Sequence, residues 1–248
     1  MLFIGPVYHR ELLWSLIKRD FIGRYKGSIL GVSWSLFSPL LLLAMYTIVF
    51  SIAFQARWGA GDESKVTFAV ILFSGMIVHG FFAECLNRAP MLITGHPNYV
   101  KKVVFPLEIL PWVILGSAVL HFIVSMGVLL AFCALIRLQV HAATVLIPLL
   151  ILPLMLQSLG LVYLLASVGV YLRDLVHGIS MLTTIALFMA PVFYPIDALP
   201  TTFRWAIALN PITLPILQVR DAMLWGAALN WRAWFVSLAL GIACNGRR

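Results

Sequence analysis

Charge is what this chain has least of. Only 10% of its 248 residues are Asp, Glu, Lys or Arg while 62% are apolar, which leaves too little polar surface to cover a water-soluble globule of this size. Acidic residues are the rarest, nine in all and scattered. Phosphoryl or glycosyl transfer in a membrane needs a base and stabilisation of developing charge, normally from clustered carboxylates, a histidine with an acidic partner or a metal-ligand set. No such cluster is visible, which argues against a membrane-bound transferase on lipid-linked sugars and against an enzyme in general. The six histidines, His9, His79, His96, His121, His141 and His177, lack ligand spacing, so no metal and no cofactor is expected in this chain. A Walker loop is missing as well, and with it that route to bind and hydrolyse ATP. Cys85, Cys133 and Cys244 are too widely spaced for a zinc motif and odd in number for a disulfide framework. They read as small core residues.

What the chain does have is length without charge. Gly27 to Ala56 carries no charged residue and directly follows a short basic segment, Arg10 to Lys26. Further uncharged stretches complete a set of spans expected at 32–54, 66–83, 109–136, 142–172, 175–196 and 230–245, each near the length that crosses about 30 Å of hydrocarbon. The last is the shortest and reaches a full span only with Asn230, Trp231 and Arg232 at the interface. The expected fold is an all-α integral membrane protein of about six transmembrane helices in a single domain over residues 1–248. The first apolar run is preceded by a charged helix and lacks a small-residue cleavage pattern, so it reads as a span and not as a signal peptide.

Lys and Arg, seventeen in all, lie between the apolar runs and not in one patch, which points to membrane orientation and away from nucleic acid. The side holding both termini collects eleven of them and the other side six. Basic residues are retained in the cytoplasm, so both termini are expected there. Over residues 10–26, Leu12, Leu13, Trp14, Leu16, Ile17, Phe21 and Tyr25 share one face of a helix, while Glu11, Ser15, Lys18, Arg19 and Lys26 gather opposite. Asp20 and Ile22 break the pattern. This segment reads as an amphipathic helix in the headgroup layer, with Gly27 and Ser28 turning the chain into the first span.

Residues 197–226 cannot cross as one helix, because Pro200, Pro211 and Pro215 interrupt them. Two pieces are expected, one capped by Thr201 or Thr202 and ending near Leu209, the other running from the Asn210-Pro211 break to about Trp225 with Gly226 as its stop. They read as re-entrant or interfacial half-helices, with a plain external loop as the alternative. Two polar residues lie deep in hydrocarbon, His121 and Gln157, at similar depth in an antiparallel hairpin. They are expected to hydrogen-bond each other or a neighbouring helix. No embedded carboxylate is expected to continue a proton relay from His121. The segment 95–107, with Asn98, Tyr99, Val100, Lys101, Lys102 and Phe105, mixes charge with apolar residues just before a helix. A docking element for a partner and an anchor in lipid headgroups explain it equally well.

The chain resembles the permease subunits of ABC-2-type polysaccharide exporters, and among them the O-antigen (lipopolysaccharide) permeases called Wzm. The resemblance rests on Tyr25-Lys26-Gly27-Ser28-Ile29-Leu30-Gly31 followed by Trp34 and Pro39, on Asn98 to Pro111, on Tyr171-Leu172-Arg173-Asp174, and on Tyr194-Pro195-Ile196 leading through Leu199-Pro200 to Asn210-Pro211 and Arg220. It implies a homodimer in the bacterial inner membrane, bound to two copies of a cytoplasmic ABC ATPase that carries the ATP and magnesium. Its substrate would be a polysaccharide linked to undecaprenyl diphosphate, moved from cytoplasm to periplasm; teichoic acid or capsular polysaccharide export by the same architecture is the alternative. By the same resemblance, Asn98 to Phe105 corresponds to the helix that couples to the ATPase, and Arg173 and Asp174 to a second cytoplasmic contact. Trp14, Lys18, Arg19, Arg24 and Tyr25 correspond to the interface helix where substrate enters, and 197–226 to a periplasmic gate. A polysaccharide slides best over aromatic rings, which offer apolar faces to sugar C–H groups. Trp34, Tyr46, Phe193 and Tyr194 are candidates for that lining, with interfacial anchoring as their other reading. At the C-terminus the chain departs from the family's longer final helix and tail.

Overall fold

The computed structural model describes residues 8–49, 65–97, 105–196, 200–227 and 229–246. Those residues form helices joined by short turns, with no strand among them. The first helix, α1, runs Arg10–Gly23, and α2, Trp34–Ile48, follows it after a short turn. Two long helices come next, α3 (Lys65–Arg88) and α4 (Leu110–Leu135). A 3₁₀ turn, Ala142–Leu146, and one turn of helix, α5 (Ile147–Leu150), lead into α6 (Leu152–Gly169). The chain continues with α7 (Leu175–Met189), the short pair α8 (Thr201–Ala208) and α9 (Thr213–Arg220), a π turn at Asp221–Trp225, and α10 (Trp231–Gly246).

Among the described residues four stretches are long and apolar enough to cross a membrane: Gly31–Ile48, Val66–Met91, Leu107–Leu135 and Ala142–Gly169, with Leu175–Met189 a shorter apolar helix. Their boundaries differ from the sequence reading in instructive ways. The helix expected to end at 83 runs on to Arg88, because Glu84 and Arg88 find partners on other helices. The stretch expected at 142–172 is broken near Ile151, where Pro148 and Pro153 each start a helix, the position at which a missing N–H does least harm. The stretch expected to reach 196 stops at Met189, because Ala190 turns extended ahead of Pro191. The two pieces expected between Thr201 and Gly226 form, with Gly226 in the left-handed conformation at the stop and Thr201 inside the first helix and not its cap.

Inside lipid, apolar contact between helices gains little over contact with acyl chains, so close approaches and polar ties fix the arrangement. The tightest pair is α6 with α10. Gln157 Nε2 donates to the Ser237 carbonyl and hydroxyl, both at 2.9 Å, and Asn245 Nδ2 donates to the Leu156 and Gly241 carbonyls at 2.8 Å. A Cβ at Gly160 would lie 2.9 Å from Cys244 Cβ, so only glycine lets the two helices meet. The main apolar core joins α3, α4, α6 and α9 through residues such as Phe73, Leu129, Leu159 and Ile216. By contrast α2 leaves Leu36, Phe37, Leu40, Leu41 and Met45 exposed, a face available to lipid or to a second copy.

The basic segment is helical over Arg10–Gly23, and this helix, α1, lies against the first half of α4. Leu16 and Ile17 are buried with Ile109 and Val113, while Trp14 is 60% exposed and points away from the protein. The contact depends on Gly116, where a Cβ would lie 2.8 Å from Ile17 Cγ1 and closer still to Cδ1. Gly116→Val is therefore expected to destabilise the fold by about 1–3 kcal/mol through overpacking and to open residues 10–26 to limited proteolysis. An unchanged digestion pattern would show that the notch does not seat α1.

Candidate functional site

Charges that are far apart in sequence converge where α1 meets α3 and α4. Arg24, one residue beyond α1, pairs with Glu84 of α3, donates to Ser117 Oγ of α4 at 3.0 Å and approaches Asp20 at 3.5 Å. Arg88, the last residue of α3, donates to Asp20 at 2.6 Å and lies 3.8 Å from Glu84. His121 sits at the centre. Its Nδ1 is 2.8 Å from both Arg24 Nη1 and Glu84 Oε2, and its Nε2 is 3.0 Å from the Tyr25 hydroxyl. One nitrogen cannot serve both neighbours at once: protonated, Nδ1 donates to Glu84, and unprotonated, it accepts from Arg24. Asp20 explains its own place in the helix pattern. Burial alone would raise its pKa, but the hydrogen bond and charge of Arg88, with help from Ser117 and Arg24, hold the carboxyl below its ordinary value.

This geometry decides one expectation and corrects another. Of the two partners open to His121 and Gln157, each other or a neighbouring helix, both take the neighbour: His121 turns to α1 and α3, and Gln157 turns to α10. A carboxylate does reach His121, since the continued helix carries Glu84 to it. That carboxylate is already engaged by Arg24 and His121, an arrangement suited to clasping α1 onto α3 and α4. Among the described residues no group of three or more His, Cys, Asp or Glu could hold a metal. Lys18 and Arg19 are exposed on the outer side of α1, Arg19 at the edge of a cavity of about 400 Å³ that it shares with Asp20, Arg24, Arg88 and His96.

At the end of the bundle where α3 stops, the backbone of Pro90 touches the end of α6. A Cβ at Gly169 would lie 2.7 Å from Pro90 Cα and collide with its carbonyl oxygen. Beside this contact a cavity of about 340 Å³ is lined by Pro90, Met91, Thr94, Gly169, Arg173 and Val176. Arg173 and Asp174 are exposed just before α7. Asn98, Tyr99, Val100, Lys101 and Lys102 lie outside the described residues. Phe105, at the far end of that segment, is half-buried and packs against both the main core and the α1 cluster.

Residues 11–224 match the ABC-2 type transporter family. The chain belongs to that family. Among its relatives are the O-antigen export system permease protein RfbA of Myxococcus xanthus, 28% identical over 206 residues that cover 82% of this chain and 76% of the relative. Two proteins of the same name from Klebsiella pneumoniae are 26% and 24% identical, each over 90% of this chain and 84% of the relative.

The aromatic candidates of this ABC-2 transporter fall in two places. Trp34 and Tyr46 are at opposite ends of α2, the first 37% exposed and the second half-buried against the core. Phe193 and Tyr194 follow α7: the Phe193 ring stacks on Phe188 with centroids 5.7 Å apart, and the Tyr194 hydroxyl donates to the Phe188 carbonyl at 2.9 Å. Both are tied down at the end of α7. Sequence reasoning gave no role to Glu84, Asp20 or Arg88, and left Arg220 as a letter in a motif. The available signal was a charge at the border of an apolar helix, three or four residues from another.

Proposed function

We propose that this chain is the membrane permease of an ABC exporter for an undecaprenyl-diphosphate-linked polysaccharide of the O-antigen type, driven by a separate ATPase. The observation that carries the reading is the match, over most of both chains, to permeases named for O-antigen export. The active form would be a homodimer with two copies of the ATPase, which hold the ATP and magnesium. It would sit in the bacterial inner membrane with both termini cytoplasmic, six spans per copy and 197–226 on the periplasmic side. A polymer exporter needs a path and a source of work, not a reacting group, and a charge cluster that clasps helices together fits that need. ATP-driven closure of the partner would push on residues 98–105 and on Arg173 and Asp174. The contact between Pro90 and Gly169 lets both sites move as one body. Trp34, Tyr46, Phe193 and Tyr194 would then line or flank the path.

Co-expression with a candidate ATPase tests the proposal. Expected results are a co-purifying complex of two permeases and two ATPases, restored surface polysaccharide in a strain lacking its own permease, and export lost in Lys101→Ala while ATP hydrolysis continues. Glycolipid turnover by the purified permease without ATP, or labelling of Lys101→Cys only from outside the cell, would refute it. Export of a teichoic acid or capsule in place of O-antigen would keep the architecture and change the substrate.

A further inference from the structure

Arg220, the last residue of α9, is completely buried. Its guanidinium reaches one other helix and the stretch that follows another. Nε donates to the Ile71 carbonyl at 3.0 Å and lies 3.4 Å from Ser74 Oγ, both on α3, while Nη1 donates to the Pro191 carbonyl and Nη2 to the Val192 carbonyl at 3.0 Å. The acceptors beyond α7 exist because of the local sequence. That helix ends at Met189, Ala190 turns extended, and Pro191 brings no N–H, so these carbonyls fall outside the helical ladder. The space for the side chain is also built in, since a Cβ at Gly75 would lie 2.6 Å from Nη2. A second tie meets the same helix end from the start of α9: Asn210 Nδ2 donates to the Ala186 carbonyl at 2.8 Å.

We infer that Arg220 is the positioning residue that locks the gate segment, α8 and α9, onto α3 and α7, so that the segment moves with those two spans or not at all. The inference rests on reading 197–226 as the gate. A guanidinium keeps its charge in proteins and presents five donors in a rigid fork, which is what bridging three elements demands. Away from its carbonyls it would be an uncompensated charge in a dry core. Intermediate positions are therefore disfavoured, and the segment has a seated state and a wetted one. Lysine can supply charge and donors to one site but cannot span both.

The test uses the full-length permease with its ATPase, reconstituted in vesicles without ATP, and compares wild type with Arg220→Met, Arg220→Lys and Gly75→Ala. Two readouts are followed: leakage of a small trapped dye, and thiol labelling of Leu214→Cys with Cys85, Cys133 and Cys244 replaced by serine. Arg220→Met should raise both by at least about tenfold, since several charge-assisted hydrogen bonds are lost together. Arg220→Lys, which keeps the charge but serves one site only, should recover part of the change and not all of it, and Gly75→Ala, which crowds Nη2, should shift both readouts in the same direction as Arg220→Met. Wild-type leakage and labelling in Arg220→Met would overturn the proposal. So would equal behaviour of the methionine and lysine variants, or failure of both to yield folded protein, which would give Arg220 a purely structural role. Neither readout depends on which polymer is carried, so failure of the export reading registers separately.

Discussion

Glu84→Ala is expected to destabilise the folded permease by about 2–4 kcal/mol, seen as a lower thermal midpoint of the reconstituted protein. The variant removes the acceptor shared by Arg24 and His121 and the second carboxylate beside Arg88. Two guanidinium groups would then face each other across a half-buried site with only Asp20 between them. The side chains are 17–32% exposed, so water relieves part of the penalty and the loss falls at the lower end of what a fully buried pair costs. Replacing both partners of the central pair, Arg24→Met with Glu84→Leu, should destabilise less than the sum of the single changes by at least about 1 kcal/mol. Strict additivity would mean that the two residues do not form a clasp. Asp20 contributes in a different pH range. Its pKa is held below the ordinary value in the folded state, so its contribution is complete above the unfolded pKa of about 3.9 and disappears only as pH falls through the depressed one. At neutral pH the clasp should therefore respond to Glu84 substitution and not to acidification toward pH 5 through Asp20.

The helical class and the amphipathic start of this chain were legible because both are local: a long uncharged run and a one-sided helix need no knowledge of the rest of the molecule. The break at Asn210-Pro211 and the stop at Gly226 were legible for the same reason, since proline and left-handed glycine act on their own backbone. The charge cluster was not. Glu84 and Arg88 looked like the border of a span, because a sequence cannot show that Arg24 and Asp20 return from sixty and sixty-eight residues away to satisfy them. His121 and Gln157 illustrate the same limit in another form. Residue counting gives depth along a helix, but the direction a side chain faces depends on which neighbour lies there, and those neighbours turned out to be α1 and α3 for one and α10 for the other. Arg220 was hidden by composition, since one arginine in a Pro-broken loop reads as solvent-exposed until the loop is seen to be packed.

Gly169→Ala should separate ATP hydrolysis from transport. The residue ends α6, and the Cβ it gains would collide with the Pro90 backbone, which cannot rotate out of the way as a side chain could. Either the turn at Ala89–Met91 or the end of α6 must shift by several tenths of an ångström, at about 1–3 kcal/mol. Both carry segments expected to meet the ATPase: residues 98–105 follow the turn, and Arg173 and Asp174 follow α6. If the two contacts transmit work only when held at a fixed distance, the variant should still bind the ATPase, since neither contact surface is altered, yet lose most of its polysaccharide export while hydrolysis persists. Gly169→Val should be worse in the same direction. A small-to-large change that merely weakened the fold would lower complex yield and export together, so the ratio of export to hydrolysis per purified complex is the quantity to measure. An unchanged ratio in Gly169→Ala, with stability lowered as expected, would show that the Pro90 contact holds the bundle together without carrying the stroke.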